Sequence, residues 1–188
     1  MRVGMLVLAA LVAAAGAAAA VLAAEPAKSD VSVRKVNEQV VLYTVYRGDY
    51  SGVGQTIGSL IGTAMQKGAP PAGPITFVYL NSPQFVSKEH YLTEIRIPVG
   101  ADALKLAGTL GEFTDVKKLP AMEVAVIHKP VGQDNVPALR GALMRWMREN
   151  GYEAAEAFGE TFLSQGGASY ADMETEIFLP VQRAAAQP

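Results

Sequence analysis

A seven-residue pattern occurs twice in this chain of 188 residues and constrains its fold more than any other feature. Thr-Glu-Ile-x-(Ile/Leu)-Pro-Val spans residues 93–99 and again residues 175–181, so that Glu94 and Glu176 lie 82 positions apart. Self-similarity at a fixed period is typical of one structural unit that is used twice. The rest of the chain is therefore expected to match itself at a similar spacing.

Other segments do match at nearly the same offset. Val-Arg-Lys-Val at 33–36 corresponds to Val-Lys-Lys-Leu at 116–119, and Gly68 corresponds to Gly151, each pair 83 positions apart. A constant offset across several segments indicates an internal duplication rather than a chance match.

Each repeat is expected to fold as strand, helix, strand, strand. β-branched and aromatic residues predict six strands, at 33–46, 75–80, 91–99, 123–128, 157–163 and 173–181. Two such repeats predict an α+β fold with pseudo-twofold symmetry, in which antiparallel sheets carry two helices and leave a central groove. We place the domain at 33–182, with the repeats at 33–99 and 116–181.

Two amphipathic helices are predicted between the strands. Apolar residues recur at helical spacing over 51–67, and Gly68 provides a stop. The second helix is expected to begin after Asn135, a typical N-cap residue, and to end at Gly151. Three glycines four positions apart share one face of the first helix, where we expect tight packing: Gly54, Gly58 and Gly62.

The N-terminal segment favours export from the cytoplasm. Arg2 is followed by an uncharged run, 3–24, that is rich in Ala, Val and Leu and typical of a signal peptide. The run is also long enough to remain as an N-terminal membrane anchor. We expect 1–24 to be a signal peptide or anchor, 25–32 a linker and 183–188 a tail, with the folded domain in the periplasm or another extracytoplasmic compartment.

Composition excludes several classes of function. The chain has 16 basic and 18 acidic residues, so no broad attraction to nucleic acid is expected. Cysteine is absent, which excludes disulfides, thiolate metal sites and a cysteine nucleophile. The two histidines, His90 and His128, show no metal-ligand spacing, and we expect no metal and no cofactor.

Strand alternation suggests which side chains share a face. We expect Ile95, Ile97, Ile177 and Leu179 to face the helices. Val78, Leu80 and Leu163 are expected in the same layer. The opposite parity combines aromatic rings with carboxylates, which is unusual for a solvated surface. Its members are Phe77, Tyr79, Glu94, Arg96, Phe158, Glu160, Phe162, Glu174, Glu176 and Phe178. Rings and a carboxylate in a groove suit a cationic or aromatic small molecule.

Glu160 is the favoured ligand-binding carboxylate, because Phe158 and Phe162 flank it on the same side of its strand. The duplication also breaks here, since the equivalent position in the first repeat is Phe77. Glu94 and Glu176 have an alternative role, in which the repeated pattern is a strand ending whose glutamate pairs with a neighbouring strand or with Arg96. An exposed strand glutamate is the alternative for Glu160.

The second repeat resembles the GyrI-like effector-binding domain, a family found fused to AraC- and MerR-type regulators and as stand-alone proteins. The resemblance covers about 31–182 and rests on the order of four motifs rather than on any one. These are Leu-Pro-Ala at 119–121, Trp-Met-Arg-Glu-Asn-Gly at 146–151, Gly-Glu-Thr-Phe-Leu at 159–163 and Thr-Glu-Ile-Phe-Leu-Pro-Val at 175–181.

The resemblance implies a ligand groove between the halves, with a glutamate on the fifth strand that meets cationic, often aromatic, ligands. That glutamate corresponds to Glu160. The family usually has Glu-x-Tyr at this point, whereas Glu160-Thr161-Phe162 keeps the ring and loses the hydroxyl. The family's His-x-Gly-x-Tyr-like turn is kept only in part at 128–132, which leaves the ligand class open.

Three functions are consistent with these features. The first is an extracytoplasmic small-molecule binding protein with no nucleic-acid partner. The second is a hydrolase of reactive aromatic compounds, in which Glu160 would be the general acid or base. The third is haem or tetrapyrrole binding, with His128, Met144 or Met147 as axial ligand. The oligomeric state is not determined by the sequence.

Overall fold

The computed structural model describes residues 31–164 and 169–185. The predicted leader 1–24, nearly all of the linker 25–32 and the last residues of the tail therefore lie outside the described residues. In the described ranges, no helix is both long enough and apolar enough to cross a membrane.

Two α-helices and nine strands form the described chain, joined by short 3-10 turns. The helices are α1 (Val53–Gln66) and α2 (Val136–Glu149). The strands are β1 (Ser32–Val36), β2 (Gln39–Arg47), β3 (Thr76–Tyr79), β4 (Leu92–Val99), β5 (Thr114–Leu119), β6 (Met122–Lys129), β7 (Tyr152–Ala154), β8 (Gly159–Phe162) and β9 (Thr175–Arg183).

All nine strands belong to one antiparallel sheet with a symmetric order. The path is β1-β6-β9-β8-β3-β4-β2-β5, with β7 paired to the far end of β9. In the first repeat β2, α1, β3 and β4 correspond to β6, α2, β8 and β9 of the second. The order is therefore the same when counted outward from the β3–β8 pair, which confirms the α+β fold built from two pseudo-twofold repeats.

The leading strand of each repeat is exchanged between the halves. The segment predicted as one strand at 33–46 is two strands, interrupted at Asn37 and Glu38. β1 pairs with β6 of the second repeat, and its counterpart β5 pairs with β2 of the first. The exchange ties the halves together through both sheet edges as well as through the central pair.

The pseudo-twofold axis passes through the β3–β8 pair. Phe77 and Glu160 are equivalent by the 83-residue offset, and they are also direct antiparallel partners in the ladder. Two equivalent residues can face each other in this way only where they lie on the symmetry axis. The predicted break in the duplication therefore lies at the centre of the molecule.

Both helices pack on the same face of the sheet. The first core cluster joins Leu60 and Ala64 of α1 to Ile95 and Ile97 of β4. The second joins Leu143 and Met147 of α2 to apolar residues of β6 and β9, including Ile177 and Leu179. The expectation that these four strand residues face the helices is confirmed.

The helix ends follow the predicted signals in part. Gly68 and Gly151 both have φ of +70°, the left-handed conformation that favours glycine after a helix. Asn135 occupies the N-cap position of α2, but its side chain makes no capping hydrogen bond.

The glycine stripe of α1 does not pack tightly. A Cβ built at Gly54, Gly58 or Gly62 would meet no atom within 4 Å. The predicted close approach at this face is therefore wrong for the described residues. The helix carries the propensity cost of these glycines, about 1 kcal/mol each relative to alanine, without a packing contact that offsets it.

Candidate functional site

A cavity of about 600 Å³ lies between the two helices, above the central β3–β8 pair. Helix α1 contributes Val53, Ile57 and Ile61, and α2 contributes Val136 and Arg140. Most of the remaining lining is apolar or aromatic and comes from the sheet and from the segment around Tyr170 and Met173. This volume is in the range of small-molecule pockets.

The central strands form the floor of the cavity with Phe77, Tyr79, Glu160 and Phe162. The rings of Phe77 and Phe162 meet edge to face, with centroids 4.8 Å apart. The prediction that these residues share one face is confirmed. Phe158 lies on the same side but packs in the second core cluster instead of lining the cavity.

The predicted position of this face relative to the helices is wrong. Phe77 is the direct partner of Ile95, and Glu160 is the direct partner of Ile177. Direct partners in an antiparallel ladder point to the same side of the sheet. The aromatic floor is therefore on the helix-covered face, and the cavity lies between the helices rather than on the side away from them.

Three of the predicted ligand-binding residues lie on the opposite face, and the prediction that they share the groove of Glu160 is wrong. Glu94 pairs with Val78, Glu176 with Thr161 and Phe178 with Gly159. Arg96 and Glu174 also lie outside the cavity. The same parity error affects three residues predicted to face the helices: Val78, Leu80 and Leu163. Val78 is buried on the other face, whereas Leu80 and Leu163 are exposed.

The carboxylates on the far face form ion pairs. Arg34 donates to both carboxylate oxygens of Glu176, with Nη1 2.9 Å from Oε1. Glu94 accepts from Arg96 Nε at 2.5 Å and from Lys117 Nζ at 2.7 Å. These contacts match the alternative role of Glu94 and Glu176, in which each glutamate ends a strand and pairs with a neighbouring side chain.

We expect Glu94→Gln to lower the free energy of unfolding by about 2 kcal/mol near neutral pH, since it removes charge-assisted hydrogen bonds. Burial alone would raise the pKa of Glu94, but hydrogen bonds from Lys117 and Arg96 outweigh it and hold the pKa below its ordinary value of 4.5. A lowered folded-state pKa stabilises the fold above the unfolded pKa, and this is lost as pH falls through the folded value. The difference between wild type and variant should therefore shrink below about pH 4.5 in urea unfolding curves.

Glu38→Gln is the control for this experiment, because Glu38 forms an exposed ion pair with Lys118. Its effect should stay within about 0.5 kcal/mol at every pH. A Glu94→Gln deficit that persists unchanged in acid would contradict the assignment.

Glu160 is almost fully buried in the cavity floor, at 1% exposure, and has two polar partners. Arg140 Nη2 lies 3.3 Å from its Oε1, and the Tyr170 hydroxyl donates to its Oε2 at 3.0 Å. A carboxylate at this depth requires such partners, because an isolated buried charge is strongly unfavourable. The predicted candidate residue is thus the acidic end of an ion pair within the cavity.

Arg140 lines the candidate site, and sequence analysis missed it. Its guanidinium carbon lies 4.3 Å from the centroid of the Tyr79 ring and 5.8 Å from that of Phe158. A signal for it was present: Arg140 lies four positions after Val136 and three before Leu143, within the apolar stripe of α2. A charged residue on a core-facing helix stripe indicates a buried partner.

The hydroxyls of three tyrosines and of Ser164 supply the other polar side-chain groups of the described lining. Burial, and then the nearby Glu160 carboxylate, raise the pKa of both Tyr79 and Tyr170. Burial also raises the pKa of Tyr50, whose hydroxyl lies 3.1 Å from the Thr93 hydroxyl. These phenols therefore stay neutral near neutral pH, and Arg140 and Glu160 set the charge of the described lining.

Lys129 holds the segment that places Tyr170 over the cavity. It is fully buried, and its Nζ donates to the carbonyl oxygens of Met173 at 2.6 Å, Gln133 at 3.2 Å and Tyr170 at 3.4 Å. The ammonium also lies 4.7 Å from the centroid of the Tyr170 ring. The sequence did not indicate these contacts, because Gln133 and Tyr170 belong to no predicted strand or helix and Met173 is only the first residue of the predicted strand 173–181.

The residues considered as haem ligands do not line the cavity. His128 is exposed on the opposite face and contacts Glu174, with Nε2 2.7 Å from Oε1. Met147 is buried in the second core cluster, and Met144 packs against it. In the described ranges no group of three or more metal-ligating side chains occurs.

Solved structures of other proteins share this fold. The C-terminal domain of EcmrR matches with a TM-score of 0.67 and 18% identity, over 84% of this chain and 99% of that domain. EcmrR in its complex with DNA matches with a TM-score of 0.65 and 18% identity, over 82% of this chain and 57% of that one. A hydrolase from Listeria innocua matches with a TM-score of 0.61 and 13% identity, over 81% and 91% of the two chains.

These identities establish the fold alone, and this chain spans little more than half the length of the EcmrR chain in that complex. No protein-family profile matches the sequence, and no curated protein matches it.

Proposed function

We propose that this protein binds a small aromatic molecule in the cavity between its helices, against Glu160. The observation that carries the proposal is the cavity itself. A space of about 600 Å³ has an apolar and aromatic lining that converges on one buried ion pair. An apolar enclosure with a few placed polar groups is the usual form of a small-molecule site.

We further infer that the chain is a GyrI-like effector-binding domain. Two features support this assignment besides the fold. Glu160 lies on β8, the second strand after α2, and it is placed between the two halves of the molecule. The export signal expected in 1–24 would place the binding domain outside the cytoplasm, and a periplasmic or extracytoplasmic binding protein is the form of the proposal that includes it.

A panel of aromatic compounds that differ in charge tests the proposal. At least one should raise the melting temperature, because a ligand at a hundred times its Kd stabilises the native state by about 2.7 kcal/mol. The site can be located by NMR of isoleucine methyl groups. Ile57, Ile61 and Ile75 line the cavity, whereas Ile97 and Ile127 are buried in the core away from its lining.

The expected result is a shift of the three cavity methyls with little change at Ile97 and Ile127, which serve as internal controls. No binding by any member of the panel would contradict the proposal. Binding that shifts the control methyls and leaves the cavity methyls unchanged would also contradict it, since the ligand would then lie elsewhere.

Hydrolysis by Glu160 is the alternative function, and two contacts of Glu160 bear on it. A general base needs a free carboxylate oxygen near the attacking water. Both oxygens of Glu160 have partners, Arg140 on one and Tyr170 on the other. Product analysis on the same panel separates the two functions, because a binding protein returns each compound unchanged.

A further inference from the structure

Arg140 occupies the position that an organic cation would take in this cavity. A bound cation would contact the buried carboxylate of Glu160 and lie over an aromatic face. The guanidinium of Arg140 already does both, at 3.3 Å from Glu160 and 4.3 Å from the centroid of Tyr79. The groups that would attract a cation therefore have an intramolecular partner.

The charge of the described lining sums to zero. Arg140 and Glu160 carry opposite charges, and the other lining residues are uncharged. A cation that enters must be desolvated without gaining a free counter-charge, or it must displace Arg140 from Glu160. Both routes are unfavourable, because an uncompensated charge in an apolar site is strongly disfavoured.

The donors that Arg140 does not use for Glu160 indicate what the ligand supplies. Among the described residues, the guanidinium has one hydrogen-bond acceptor, Glu160, which it contacts through Nη2. The side chain is 24% exposed and lines the cavity, so its accessible donors can reach a bound molecule. A ligand that displaces water from these donors must supply an acceptor, because an unpaired donor in an apolar site is costly. An oxygen on the bound molecule is the acceptor that we assign to the guanidinium.

We propose that the cavity binds an uncharged aromatic molecule carrying one hydrogen-bond acceptor, such as a carbonyl or a related polar oxygen, in preference to an organic cation. The rings would occupy the space between Ile57, Phe77 and Phe162, and the oxygen would lie against Arg140. This inference rests on the proposed function, since it names the ligand class of the same cavity.

Three phosphorus compounds with phenyl rings test the preference. Triphenylphosphine oxide is neutral and has a strong acceptor oxygen, triphenylphosphine is neutral and lacks that oxygen, and tetraphenylphosphonium is a cation. We expect the wild-type protein to bind the oxide at least about tenfold more tightly than either of the others by calorimetry, a difference equal to one good hydrogen bond.

Arg140→Met should reverse the preference between the oxide and the phosphonium. The variant loses the donor for the oxygen and leaves the Glu160 carboxylate without its cation, so phosphonium affinity should rise and oxide affinity should fall. Arg145→Met is the matched control, because Arg145 is an exposed arginine on the same helix. It should leave both affinities unchanged.

Equal or tighter binding of tetraphenylphosphonium by the wild type would overturn this inference and leave the proposed function intact. An Arg140→Met variant that folds and keeps the wild-type preference would overturn it as well. If none of the aromatic panel binds, the proposed function fails and this inference fails with it. The wild-type affinity ratio decides the inference even if Arg140→Met does not fold.

Discussion

Arg140→Met is expected to lower the free energy of unfolding by about 3 kcal/mol, because removing one partner of a buried ion pair leaves the other charge buried without a counter-charge. Glu160 is 1% exposed and would keep a single hydrogen bond, from Tyr170. The expected loss is at the lower end of the range for buried pairs, because the Arg140 side chain is itself 24% exposed. Urea unfolding followed by circular dichroism at neutral pH measures it.

The double variant Arg140→Met/Glu160→Gln identifies the cause. If the loss of stability comes from the unpaired Glu160 carboxylate, replacing Glu160 with neutral Gln should restore more than half of the lost free energy of unfolding. Arg145→Met reports the cost of changing an exposed arginine on the same helix, and it should be within about 0.5 kcal/mol of wild type. A double variant no more stable than the single one would show that packing, and not charge, accounts for the loss.

Gly159→Ala is expected to lower the free energy of unfolding by about 2–3 kcal/mol through overpacking. A Cβ at this position would lie 2.6 Å from Phe178 Cε1 and 2.8 Å from the carbonyl oxygen of Phe77. The ring of Phe178 can turn aside, but the Phe77 oxygen belongs to the backbone of the neighbouring strand. The substitution must therefore separate β3 from β8 at the centre of the sheet.

Gly58→Ala is the matched control, because the same methyl group is added where no atom lies within 4 Å. It should raise the free energy of unfolding by up to about 1 kcal/mol through helix propensity. Gly159→Ala/Phe178→Leu should recover only part of the loss, since the contact with the Phe77 oxygen remains. Full recovery would mean that the Phe178 ring alone needs the glycine.

The fold was predictable because two independent periods agree. The 82–83-residue offset divides the chain into equivalent units, and within each unit apolar spacing separates strands from the helix. What periodicity did not separate was β1 from β2, since Asn37 and Glu38 are a short interruption in an otherwise extended segment. The exchange of β1 and β5 between the halves depends on tertiary pairing, with β6 and β2 respectively, and no local sequence pattern indicates it.

For the site, the sequence predicts only which side chains of a single strand share a face. Alternation correctly grouped Phe158, Glu160 and Phe162 on one side, but it does not relate one strand to the next. Whether Phe77 shares a face with Ile95 or with Glu94 depends on a register that a shift of one residue would reverse. The position of Arg140 within the apolar stripe of α2 could have indicated its role in the cavity. Tyr170 contacts Glu160 from a segment between strands, and no sequence pattern predicts the path of that segment.

The pair on the symmetry axis has a consequence for the number of charges in the cavity. Phe77 and Glu160 are equivalent positions that face each other. A homodimer of either repeat would have two phenylalanines or two glutamates there, and like charges directly opposite each other are destabilising. Because both repeats are joined in one polypeptide, the two equivalent positions can differ. The cavity then has one carboxylate, Glu160, which pairs with one arginine, Arg140.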